Sequence, residues 1–101
     1  MKKIINGKKY DTDTAIAVCE WDNGLPRSDF KAMKRKLYRK KTGEFFVYNW
    51  GGAATCYAEM HGQWSSEGSE IVPCDENEAR NFVEKYGTAD EYEKLFGEVE
   101  E

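Results

Sequence analysis

Few residues in this chain could act as nucleophiles, bases or metal ligands. His61 is the one histidine, and Cys19, Cys56 and Cys74 are the three cysteines. A Cys–His pair such as Cys56 and His61 can activate a thiol, but it needs a third group to orient the base. The spacing marks no such group. Ser65 and Ser66 lie outside a nucleophile-elbow frame, and Gly51-Gly52 is too short for a phosphate loop. A tetrahedral zinc needs four N/S ligands, a count that Cys19, Cys56, His61 and Cys74 supply. Zinc ligands usually come in close pairs such as C-x2-C. Here every cysteine stands alone, as small buried hydrophobes do. The chain is therefore read as non-enzymatic, with no catalytic residue, cofactor or metal. The Cys₃His zinc module is an alternative.

The charged residues are more telling. Residues 1–43 hold twelve Lys/Arg against five Asp/Glu, a balance of +7, and residues 67–101 hold three against twelve, a balance of −9. The overall charge of −4 conceals this division. Such a field steers charged partners without specifying a reaction. Lys31, Lys34, Arg35, Lys36, Arg39, Lys40 and Lys41 put seven cations in eleven residues. They could grip phosphates, with Tyr38, Tyr48 and Trp50 as a stacking platform. A solvated strand guarded by lysine gives the same pattern. Dedicated nucleic-acid binders are usually basic overall, so binding to free nucleic acid is expected to be weak.

These residues need elements to position them. One hundred and one residues suit one domain, 1–101. Fourteen aromatics are enough for its core, since each ring buries on the order of 150–250 Å². Asn6-Gly7 between Ile4-Ile5 and Lys9-Tyr10 predicts an N-terminal hairpin. Residues 15–21 are open between strand and helical turn. Leu37–Lys40 and Glu44–Trp50 flank Lys41-Thr42-Gly43 and predict a second hairpin. Its second strand is apolar on both faces, with Phe45 and Val47 on one and Phe46, Tyr48 and Trp50 on the other. That predicts a central position in the sheet. Ala53–Met60 reads as a helical turn, Gly62–Gly68 as loop, and Glu70–Val72 as a short strand stopped by Pro73. Asp75 with Glu78 forms a cap signal, and Ala79, Phe82, Val83 and Tyr86 follow as one helical stripe. Gly87 fits the left-handed position after that helix. Thr88 with Glu91 repeats the cap before Tyr92, Leu95 and Phe96. Strands first and helices last predict an α+β fold: a small antiparallel sheet with a central hairpin, then two C-terminal helices. No run of 18 apolar residues is present, so no membrane span is expected. Met1–Gly7 has no apolar segment of signal-peptide type. The cysteines are odd in number and far apart. A reduced, cytoplasmic chain is expected.

Ile5–Thr12, Leu37–Tyr48, Gly51-Gly52, Ile71-Val72-Pro73, Ala89–Tyr92 and Phe96-Gly97 together resemble a family of small acidic proteins carried by phages and integrative elements of Gram-positive bacteria. Some small proteins of that setting are anti-CRISPR inhibitors of the type II effector nuclease. The segment holding Cys56 and His61 lies outside the resembling frame. The resemblance implies a host protein as partner, that nuclease being one instance, and action in the host cytoplasm. Asp90, Glu91, Glu93, Glu98, Glu100 and Glu101 would engage its basic residues, and Trp50 and Trp64 would anchor the contact. The alternative is a small nucleic-acid-binding accessory protein acting through Lys34, Arg35, Lys36, Tyr38, Arg39 and Lys40.

Overall fold

A computed structural model describes residues 1–100. In chain order the elements are β1 (Lys2–Ile5), β2 (Lys8–Asp11), β3 (Ile16–Asp22), β4 (Met33–Arg39), β5 (Phe45–Gly51), β6 (Glu59–His61), β7 (Trp64–Ser66), β8 (Gly68–Cys74), α1 (Glu76–Tyr86) and α2 (Ala89–Phe96). The main sheet is antiparallel in the order β3-β4-β5-β8. The fold is α+β, with its helices at the C-terminal end as expected.

The β4–β5 hairpin is the middle of the sheet. On one face Cys19, Leu37 and Phe45 pack under Ala79, Phe82 and Val83 of α1. On the other, Tyr38, Phe46 and Ile71 pack under Tyr10 of the N-terminal hairpin. Tyr10 meets Phe46 edge-on at 5.6 Å, and Tyr38 stacks on Phe46 at 5.1 Å. Burial on both faces explains why β5 is apolar at nearly every position. Asn6 and Gly7 take φ of 51° and 76°. Positive φ at both central residues is what a type I′ turn requires.

Both helices begin as their sequences suggest. Glu78 N donates to Asp75 Oδ1 at 2.8 Å, and Asp75 N donates back to Glu78 Oε1 at 3.1 Å. Thr88 and Glu91 repeat the exchange at 3.2 and 3.0 Å.

One open reading is settled, and four expectations need correction. The segment left open resolves as strand from Ile16, because β3 pairs with β4 along its length with an irregularity at Val18. Residues 53–57 form turns instead of a helical turn and residues 59–60 belong to β6, while residues 64–66, expected as loop, form β7, paired with β6. Strands of three residues are too short to carry a periodic signal. Pro73 does not stop β8, which runs through it to Cys74. β8 is an edge strand, where a missing N–H need not break the ladder. Gly87 is extended, with φ −98°, not left-handed. Close packing explains this glycine: a Cβ there would lie 2.9 Å from Val83 Cγ1 and 3.0 Å from Cys19 Sγ.

No helix among the described residues is long and apolar enough to cross a membrane.

Candidate functional site

α2 has two sides. Tyr92, Leu95 and Phe96 pack on the core beneath α1, with Phe96 5.8 Å from Phe45. Asp90 and Glu93 are exposed, as are Glu98 and Glu100 beyond the helix. Among the described residues no Lys or Arg nitrogen comes within ion-pair distance of these four carboxylates. Glu91 differs. It is half-buried, and its carboxylate accepts the Thr88 N–H. Asp90 and Glu91 also sit in the first turn, where the helix dipole favours negative charge. Local helix stability thus accounts for part of the acidic pattern. Glu101 lies outside the described residues.

The basic run does not form one patch. The period of β4 sends Arg35 and Arg39 to the helix face and Lys34 and Lys36 to the other. Arg35 Nη1 donates to Tyr86 Oη at 2.7 Å. Its guanidinium lies 5.7 Å from the Trp21 ring and 5.6 Å from the Tyr86 ring. Arg39 lies over Phe45. Lys36 pairs with Glu20 at 3.6 Å, and Lys40 pairs with Glu44 at 3.4 Å. The aromatic platform expected beside them is not available. Tyr38 is 8% exposed and Trp50 only 3%, because Phe46 covers the first and Arg27 lies 4.6 Å above the second, which leaves the half-buried Tyr48 alone. Trp50 also fails as an exposed anchor for a partner, for the same reason.

The four residues of the alternative zinc set are not brought together. Among the described residues no group of three His, Cys, Asp or Glu is placed to hold a metal ion. Cys19 is buried against α1, Cys74 lies at the end of β8, and Cys56 is exposed in the loop before β6. All three thiols are free. Burial, with Glu91 and Glu20 nearby, pushes Cys19 up to about 11. Burial, with Glu78 and Asp75, pushes Cys74 up to about 12. Thiols held in the protonated form are poor nucleophiles and poor metal ligands. His61 stacks on Trp64 at 4.7 Å, and its Nε2 lies 2.9 Å from Ser66 Oγ.

Trp64 is 64% exposed, at the tip of the β6–β7 hairpin. Two further apolar side chains, absent from the sequence-based set, are also exposed: Met60 at 73% and Phe30 at 71%. Hydrogen bonds tie their loops together: Ser65 Oγ donates to Ala53 O at 2.6 Å, and Ala54 N donates to Phe30 O at 2.8 Å. The signal for Phe30 was its isolation in a turn-forming run, Pro26 to Asp29. An aromatic there has no stripe to join. No protein-family model matches the chain, and no curated protein or solved structure is similar enough to count as a match.

Proposed function

We propose that the chain is a non-enzymatic binding protein. Its acidic C-terminal face docks on a basic surface of a partner protein, and the exposed Trp64 hairpin supplies an apolar anchor. The observation carrying this reading is that Asp90, Glu93, Glu98 and Glu100 are exposed and unpaired among the described residues, while much of the basic run is engaged internally. Unpaired surface charge facing a complementary potential raises association rate and specificity. Grooves that hold nucleic acid are basic surfaces of this kind. The resemblance to mobile-element proteins makes the type II effector nuclease the partner to try first, with inhibition of cleavage as the outcome.

A cleavage assay with purified effector, guide and target tests the reading. Inhibition by a stoichiometric amount of the chain supports it. Full cleavage at large excess, with the chain added before or after the guide, sinks it for that effector.

One observation favours a nucleic-acid reading instead. Lys2, Lys3, Lys8 and Lys9 are exposed on the N-terminal hairpin, which covers the sheet face opposite the helices. Duplex binding tighter than about 10⁻⁶ M at physiological salt, beyond the usual non-specific range, would favour it.

A further inference from the structure

The acidic face is not flat. Where α1 gives way to α2, the turn Gly87–Ala89 borders a cleft of about 370 Å³. Val83, Tyr92 and Val99 give it an apolar lining, and Glu84 and Glu93 stand on its rim. The volume is at the low end of small-ligand sites, too small for a large cofactor and ample for one long side chain. Neither rim carboxylate has a Lys or Arg nitrogen within ion-pair distance among the described residues. The cations next to them in sequence, Lys85 and Lys94, form no ion pair with either, and the Lys85 ammonium lies 5.2 Å from the Tyr86 ring.

We infer that this cleft receives a lysine or arginine side chain of the partner, its aliphatic stem on Val83, Tyr92 and Val99 and its cationic head at Glu84 and Glu93. Long basic side chains bury their stems while keeping the charged head at a polar rim, and the cleft has both parts. An anionic group would meet the two carboxylates. A purely apolar one would leave them without a partner. This inference rests on the acidic-face reading above and gives it a specific contact.

The test is a titration of the isotope-labelled full chain, followed through its amide resonances, with N-acetyl-lysine methylamide as probe. N-acetyl-norleucine methylamide, which keeps the stem and lacks the charge, is the comparison. Shifts should concentrate at residues 83–93 and 99, with lysine binding up to about fivefold tighter than norleucine, the upper range of an exposed ion pair. The Glu84→Gln, Glu93→Gln double variant alters only exposed positions. It should lower lysine binding to the norleucine level and leave norleucine binding unchanged. Equal binding of the two probes, shifts spread over Glu20, Glu98 and Glu100 alike, or no shifts would each overturn the inference. A parallel titration with decalysine separates the two levels. If decalysine binds and Asp90→Lys with Glu98→Lys weakens it while the cleft stays unmoved, the acidic face docks without this cleft. If decalysine does not bind, both readings fall.

Discussion

The three thiols differ more in environment than their shared residue type suggests. Cys56 is exposed, whereas Cys19 and Cys74 are pushed up to about 11 and about 12. A thiol-specific reagent at pH 8 should modify one cysteine quickly and the other two only after denaturant is added. Three equally fast thiols would contradict the packing of Cys19 under Gly87. The same shifts bear on stability. The unfolded thiols lose their protons near pH 9, while the folded ones keep theirs to about 11 and 12. Between those limits the unfolded state binds fewer protons, so stability falls as pH rises. Melting temperature should drop above pH 9, and less steeply in a Cys19→Ala, Cys74→Ala variant, if that variant still folds. Sequence could flag these cysteines as solitary and reduced. It could not rank them, because the largest cause is burial made by tertiary packing, joined for Cys19 by Glu91 from far away in the chain. The same holds for Tyr38 and Trp50. Their residue types fitted a stacking surface, and only the fold shows that Phe46 and Arg27 cover them.

Among the elements, the short C-terminal helix shows how two roles share one acidic pattern. Asp90 and Glu93 are exposed, while Glu91 completes the cap with Thr88. Thr88→Ala should cost about 0.5–2 kcal/mol, and Glu91→Lys should also destabilise by breaking the exchange. Glu93→Lys should stay within about 0.5 kcal/mol of the parent. Chemical denaturation of the three variants checks this ordering. A binding test that reverses Glu91 would confuse lost fold with lost contact, so Asp90 and Glu93 are the informative pair. In the sheet, Phe46 is fully buried between Tyr10 and Tyr38, and Phe46→Ala should cost about 3–5 kcal/mol. An effect under about 1 kcal/mol would mean that this face is loosely packed. Elements with strong local signals were legible: the Asn6-Gly7 turn, both caps, the α1 stripe and the two-faced β5. Residues 51–67 were not. Their strands are three residues long, and their position depends on hydrogen bonds from Ala54 to Phe30 and from Ser65 to Ala53.

As a whole, the molecule measures 51 × 33 × 19 Å, with a radius of gyration of 14.9 Å. A typical hundred-residue domain has a radius of about 13 Å, so this one is extended. Its exposed hairpin lysines and its acidic helices lie on opposite faces of the sheet. Association with a basic partner should therefore be orientation-selective and should slow as salt rises, since the screening length is about 8 Å at physiological ionic strength. Stopped-flow rates from low to high salt should show this. Asp90→Lys with Glu93→Lys should reduce the salt slope, and a Trp64→Ala variant should mainly speed dissociation. A rate insensitive to salt would argue against an electrostatically guided encounter. The stacking of three layers has one more consequence. β1 and β2 pair only with each other, and their hold on the sheet centres on Tyr10 and Ile5. A layer with no strand pairing to the sheet, held besides by the Lys8–Glu44 ion pair, the Ser69–Met1 contact and Lys40 over Tyr10, can detach while β3, β4, β5 and β8 stay paired. Amide protons of residues 2–11 should therefore exchange with solvent through partial openings, well before those of β4 and β5. Each such opening uncovers Phe46 and Tyr38, and the sticky intermediate thus formed, not the native surface, would set how long concentrated solutions of this protein remain clear.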